Sequence, residues 1–327
     1  MNKNTIPKVI LSPLNYQGAK HKLFPQIKPL FPNKYNNFID LFSGGGSVTA
    51  NLMTDDIASS YLMNDKESHV TSFFKYLSQS DTHQVINEIY KKIREYGLSD
   101  SSKNGYSFYG SDSTKGLGTY NKEKFLKLRN DYNGKCIGPF SRQTELKTPI
   151  LFYLLVCFGF NNQIRFNSKG QYNLPVGKRD FNVRMRTKLM DFSKQIKNKK
   201  IRFSSIDFRK VKFNTGDFIY ADPPYLITTA TYNENGGWTK KDEIDLYAYL
   251  DKVHKKGAKF ALSNVTYHKG QKNEILIKWS NKYYLHVLNY HYNNSNYQKH
   301  RLKTNIKSKQ CPKNKTSEVL VTNYESI

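Results

Sequence analysis

Short apolar runs, parted by polar and glycine-containing stretches, recur along the chain, and their length predicts strands. Phe38-Ile39, closing at Asp40, and Tyr61-Leu-Met-Asn, closing at Asp65, are the first two. Ile201 to Phe203, Phe218 to Ala221, Phe260 to Val265, Tyr283 to Tyr290 and Glu318 to Thr322 come next. Between them the apolar positions switch to helical spacing: Val70, Phe73, Phe74 and Tyr76, then Val85, Ile86, Ile89 and Ile93. Val48 to Met53, Asn121 to Asn130 and Leu246 to Val253 predict shorter helices. Thr148 to Phe158 is so uniformly apolar that helix and buried strand fit equally. Ser99 to Tyr120, rich in Ser, Gly, Lys and Asp, reads as an insert that is disordered or ordered on binding. Leu226 to Lys240, with Tyr232 and Trp238, and Tyr292 to Lys315, basic and free of acids, read as loops.

The segments just beyond two of the strands carry the candidate chemistry. After Phe218 to Ala221 comes Asp222-Pro223-Pro224-Tyr225. The prolines lack an N–H and fix φ, so neither ladder nor helix continues. A rigid bend results, at the carboxyl end of a buried strand, where open α/β sheets hold ligands. One reading is a plain strand-ending turn. The chemical reading starts from an exocyclic amino group on a base, a poor nucleophile because its lone pair is delocalised into the ring. The Asp222 carboxylate and the Pro223 carbonyl can accept its hydrogens and favour a pyramidal, attacking nitrogen, while Tyr225 stacks on the extruded base.

After Asp40 comes Leu41-Phe42-Ser43-Gly44-Gly45-Gly46-Ser47, then the helical Val48 to Met53. Strand, glycine turn and helix is the cofactor-binding arrangement of Rossmann-like sheets. The last glycine of the dinucleotide fingerprint is missing and no Gly-Lys-Ser/Thr is present, which argues against a nucleotide phosphate. Asp65 ends the second strand, where ribose hydroxyls are held; the competing reading is a cap for the helix beginning near Lys66. Asn15 to Lys20 is a glycine-containing turn feeding a short basic helix, an N-terminal arm or a functional element. From Asn161 to Gly177, amides, cations and aromatics interleave with no acid, as in Asn161, Arg165, Asn167, Tyr172 and Asn173. Such side chains read base edges and anchor phosphates; a polar hairpin is the alternative.

Charge decides between those two. The 327 residues carry 52 Lys and Arg against 26 acids, a net charge of +26. A twofold excess points to a polyanion, nucleic acid before membrane. No apolar run has membrane-spanning length, and Met-Asn-Lys-Asn-Thr lacks the apolar core of a signal peptide. With 38% hydrophobic and 14% aromatic residues a packed core remains plausible. The three cysteines, Cys136, Cys157 and Cys311, are far apart and suggest neither a disulfide framework nor a zinc site, so a reducing cytosol fits.

Read in order, an Asn-Tyr-x-Gly-x-Lys element, an Asp-Leu-Phe-x-Gly-x-Gly loop, a long intervening segment and Asp-Pro-Pro-Tyr resemble the Dam-like DNA adenine-N6 methyltransferases over essentially the whole chain. The resemblance implies an α/β, Rossmann-like methyltransferase sheet with an inserted, mainly helical recognition domain. Residues 1–76 and 195–327 would form the catalytic domain and 77–194 the insert. It implies S-adenosylmethionine as cofactor and no metal. Tyr16, Lys20, Asp40, Phe42, Gly44 and Gly46 would bind that cofactor, Asp65 would hold its ribose, and Asp207 and Phe208 its adenine. Asp222 would face both cofactor and target, with Pro223, Pro224 and Tyr225 completing the catalytic motif. Asn161, Arg165, Asn167, Tyr172 and Asn173 would contact duplex DNA, and Lys303 and Lys307 of the basic loop would add phosphate contacts. A cytoplasmic, DNA-associated enzyme is implied, with a restriction endonuclease system as a candidate partner. Ala19 stands where a second glycine is common, and Asn162-Gln163 replaces the usual Gly-Leu, so the site read need not be GATC. Cytosine-N4 or RNA-base methylation, or DNA binding without catalysis, are the alternatives.

Overall fold

The computed structural model describes residues 9–136, 142–197, 199–228, 237–289 and 316–326. The chain divides into two compact units, Met1–Lys22 with Lys34–Lys212, and Leu23–Asn33 with Phe213–Ile327. A four-residue helix, α1 (Phe24–Ile27), belongs to the second.

In the first unit, β1 (Asn37–Asp40), β2 (Ser60–Asn64) and β3 (Ile201–Ser204) run parallel in the order β3-β2-β1, with Asn37 opposite Ser60 and Tyr61 opposite Ile201. Helix α2 (Ser47–Leu52) comes after β1, and α3 (Ser68–Gln79) after β2. The buried stripe of α3 is Val70, Phe73, Phe74 and Leu77. Leu77, not Tyr76, completes it, as the i, i+3, i+4, i+7 spacing requires. Helix α4 (Thr82–Tyr96) is capped by the Asp81 carboxylate, which accepts from the N–H groups of His83 and Gln84, and ends at Gly97 with φ +66°.

Beyond it lie α5 (Ser101–Asn104), α6 (Gly118–Cys136), α7 (Arg142–Phe158) and α8 (Val183–Ile196). From Ile150 to Phe158 no side chain of α7 is more than 3% exposed. The apolar run is thus a helix enclosed on all sides, too long for a single buried strand. Phe73 stacks on Tyr153 at 4.8 Å and Phe74 on Phe192 at 4.9 Å, so α3 packs against both α7 and α8. The stretch from Ser99 to Tyr120 is ordered, and α6 begins earlier and ends later than the sequence pattern suggests.

In the second unit, β4 (Phe218–Ala221) pairs parallel with β5 (Lys259–His268), with Phe218 opposite Lys259. The two-residue β6 (Gln271–Lys272) folds back on β5, and β7 (Tyr284–Leu288) and β8 (Thr316–Thr322) complete the order β4-β5-β8-β7. β8 is antiparallel to both neighbours. β4 is wholly buried, as expected of a central parallel strand. Phe31 meets Phe218 and Tyr220 edge-on at 5.1 and 5.6 Å. Helix α9 (Lys240–Lys255) starts with a reciprocal cap between Thr239 and Asp242, and α10 (Glu274–Ser280) carries Trp279, stacked on Tyr247 at 4.3 Å. The expected α/β class therefore holds. Tyr232, Lys303, Lys307 and all of the basic loop from 292 to 315 lie outside the described residues. Among the described residues no helix is long and apolar enough to cross a membrane.

Candidate cofactor, catalytic and recognition sites

In the first unit the glycine loop is held from four directions. Asp40, 1% exposed, accepts at Oδ2 from Thr49 Oγ1 (2.7 Å) and so ties the end of β1 to α2. Ser43 N–H donates to Asn64 O, Gly46 N–H to Ser43 O, and Gly44 N–H to Asp65 Oδ2, all at 2.7–2.8 Å. Gly44 and Gly46 have φ of +47° and +70°. A Cβ at Gly44 would come within 2.8 Å of the Tyr16 ring, and one at Gly46 within 2.5 Å of Met63 Cε. Backbone and space both demand glycine here. The Ser43 hydroxyl, buried in this loop, has no hydrogen-bond partner among the described residues. A close-packed glycine cradle with one unpartnered buried hydroxyl fits close approach of a polar ligand. Lys20, expected on the cofactor, is buried, and its ammonium donates to Gly18 O (2.9 Å).

Asp65 is 8% exposed, and its other oxygen accepts from Glu67 N–H (2.9 Å). Burial pushes its carboxyl up, against the pull of the two N–H donors. The cap of α3 is Glu67, which accepts from His69 N–H and is pushed up to about 7 by burial. Phe42 and Phe208 lie 5.4 Å apart, and the Arg209 guanidinium covers Phe208 at 4.5 Å while pairing with Asp207 (2.9 Å). Asp207 also accepts from Arg209 N–H, capping the turn. The residue that joins these parts was missed from sequence. Asn64, 1% exposed, donates to Leu41 O and Ile206 O and accepts from Ser204 Oγ and Ile206 N–H, linking the glycine loop to the Phe208 turn. Its only sequence signal is an amide at the end of an apolar strand.

The recognition tract, in the same unit, is a hairpin closed by bridges between Gly159 and Val176 and between Phe166 and Tyr172. A Cβ on Gly177 would stand 2.3 Å from Gly159 O, so the two backbones touch. Asn162 has φ +54° and donates its amide to Val156 O and Cys157 O, in the last turn of α7. Asn is the side chain that both tolerates this left-handed turn and caps a helix, which explains its presence where glycine is usual. Arg165 Nε donates to Asn173 Oδ1 (2.8 Å). The Asn167 side-chain Oδ1 accepts from Lys169 and Gln171 N–H, shaping the hairpin tip. Tyr172, expected on DNA, is 1% exposed, and its hydroxyl lies within bonding distance of Leu155 O and Gln163 O. It is a pillar of the hairpin, because a large ring with a satisfied hydroxyl is stable in a core. Asn161 is exposed with φ +52°, and its carbonyl accepts from Asn15 (2.9 Å), next to the Tyr16 that packs on the cofactor loop.

His69 stacks on Phe166 at 4.4 Å and shares a 2.6 Å hydrogen bond with the Tyr132 hydroxyl; burial lowers its pKa to about 4. Between pH 6.5 and 4 the unfolded chain therefore takes a proton that the folded chain refuses, and stability falls as pH falls. His69→Gln should flatten the loss of stability across that window, measured by urea unfolding at about pH 7 and about pH 4.5. An unchanged slope would mean that the imidazole is not buried in solution.

In the second unit, Asp222 is half-buried and accepts from the Tyr225 hydroxyl (3.0 Å). Thr228 donates to Tyr225 O from both N–H and Oγ1 (3.1 Å), closing the turn after the prolines. Tyr220 and Ser263 join β4 to β5 by a 2.7 Å hydroxyl pair. A second missed residue is Glu243, fully buried, which accepts from Trp238 Nε1, the Tyr247 hydroxyl, Asn264 (3.1 Å) and Asn273 (2.9 Å). It anchors Trp238, in the tract beyond the motif.

Residues 16–294 match the D12 class N6 adenine-specific DNA methyltransferases. The chain is 36% identical to the type II methyltransferase M.FokI of Planomicrobium okeanokoites and 35% identical to the modification methylase StsI of Streptococcus sanguinis. These matches cover 99% and 98% of the chain but 44% of each relative, so the chain spans less than half their length. The DNA adenine methylase of Salmonella typhi is 24% identical over 73% of the chain and 74% of its own length.

Proposed function

Because the chain belongs to the D12 class N6 adenine-specific DNA methyltransferase family, we propose that it methylates the N6 amino group of an adenine flipped out of duplex DNA. The observation that carries this reading is the Asp222–Tyr225 hydrogen bond at the end of the buried β4. It fixes the carboxylate's orientation and sets an aromatic ring beside it. The Asp222 carboxylate and the Pro223 carbonyl accept the two amino hydrogens, which draws the nitrogen lone pair out of conjugation. Tyr225 stacks on the extruded base. S-adenosylmethionine, when bound, supplies the electrophilic sulfonium methyl.

For that cofactor the glycine loop offers close backbone approach and the Ser43 hydroxyl, with Phe42 on the methionine side and Asp207 with Phe208 at the adenine. Asp65 braces Gly44 and would also meet the ribose hydroxyls. Held by Asn173, the Arg165 guanidinium is pre-organised for bidentate reading of a guanine edge. Asn161, Asn167 and Asn173 add amides from the same hairpin, and residues 77–194 form the recognition part. The relatives' names, a type II methyltransferase and a modification methylase, support a modification methylase, with a restriction endonuclease as the partner we propose.

The test is transfer of labelled methyl from S-adenosylmethionine to unmethylated duplex DNA, followed by sequencing for modified bases. N6-methyladenine in one sequence context is expected. Methyl on cytosine N4, on RNA alone, or nowhere overturns the reading.

A further inference from the structure

Residues 99–117, read from sequence as disordered or ordered on binding, are tied down at several points. Asp180, with no exposure, accepts from Ser101 N–H (2.7 Å), Ser101 Oγ (2.8 Å) and Ser99 Oγ (3.2 Å). The Tyr109 hydroxyl accepts from Asp100 N–H and Asn104 Nδ2, both at 2.8 Å, and Leu117 N–H donates to Lys178 O (3.1 Å). Burying a carboxylate is costly unless every oxygen is satisfied. Here the satisfied acid serves to fix a surface turn.

That rigid turn presents Phe108, 70% exposed, the most exposed of the large apolar side chains among the described residues. Single exposed apolar residues are normal on a surface; this one is held out on an anchored turn. Phe108 meets Tyr109 edge-on at 5.0 Å, Tyr109 lies 4.6 Å from Tyr120, and the Lys124 ammonium sits 3.0 Å over Tyr120. Arg179 donates to the Tyr106 hydroxyl (3.0 Å). Lys103, Lys115 and Lys178 add charge, whereas the two acids of the turn, Asp100 and Asp112, accept from backbone N–H groups. An exposed aromatic tip on a turn with Lys103 and Lys115 to either side in sequence is complementary to a base step flanked by phosphates.

We propose that Phe108 is a second DNA contact, stacking on or wedging into a base step outside the stretch read by residues 161–177. This rests on DNA being the substrate. The pre-ordered turn lets the ring insert without the entropic cost of loop ordering.

The test is fluorescence anisotropy with a duplex carrying the mapped methylation site and 2-aminopurine at successive flanking positions. Phe108→Ala should bind it roughly 5- to 150-fold more weakly, the span of base–aromatic stacking. Its salt dependence should match the wild type, since no phosphate contact is lost. Phe108→Trp should restore affinity, and the 2-aminopurine signal at one flanking position should vanish only in the Ala variant. The thermal midpoint and S-adenosylmethionine affinity should not move, as the side chain is exposed. A Phe108→Ala affinity within about twofold of wild type, far below the stacking range, overturns the proposal while leaving the methyltransferase reading intact. A wild-type chain that binds no duplex overturns both.

Discussion

Asp222→Ala is expected to lose methyl transfer by roughly 10²–10⁴-fold, the scale of removing a positioned proton acceptor or charge-stabilising group, while the fold survives. The carboxylate lies just past β4, is half-buried, and accepts from Tyr225, a neighbour in the same turn. Its removal leaves the buried strand and the Tyr220–Ser263 bond in place. The informative companion is Asp222→Asn. An amide keeps one acceptor and the shape of the turn but loses the charge, so activity intermediate between wild type and Ala is expected. Tyr225→Phe should be milder than either, since the ring is retained and only the bond that orients the carboxylate is lost. Labelled-methyl assays on the three variants give the order. An active Asp222→Ala would remove the carboxylate from the chemistry altogether.

The second large effect concerns Asp65. One of its oxygens accepts from Gly44 N–H and the other from Glu67 N–H, so the side chain is a brace between the glycine loop and the start of α3. Asp65→Ala strands two backbone donors in a buried place. Cofactor affinity should fall by about 1.5–3 kcal/mol, the range for a hydrogen bond to a charged group. The thermal midpoint of the cofactor-free protein should fall by several degrees as well. The second readout separates the two roles. A side chain that only met the ribose would leave the free protein's midpoint unchanged, and calorimetric titration beside a melting curve distinguishes them. Asp65→Asn, which can accept on one side only, should lie between.

How much of this was legible in the chain depends on the distance over which each feature is decided. The glycine turn after Asp40 and the prolines after Asp222 are settled by φ restrictions and missing donors within a few residues, so both could be read directly. The strands and the stripe of α3 were equally readable, because their periodicity is local. Features that depend on distant partners were hidden. Asp180 stands 79 positions from the Ser101 it fixes, Asn64 is 142 from Ile206, and Glu243 gathers donors up to 30 away. A composition rich in Ser, Gly and Asp therefore read as disorder, or order only on binding, at 99–120, where the buried Asp180 ties Ser99 and Ser101 within the chain itself. Tyr172 shows the reverse error: among polar neighbours it looked like a surface aromatic. Its alternate position on a hairpin strand turns it inward, where the carbonyls of Leu155 and Gln163 meet its hydroxyl. Sequence spacing determined which chemistry the chain carries. Long-range hydrogen bonding determined which side chains are available to do it, since a buried polar group is stable only where the rest of the fold brings its partners.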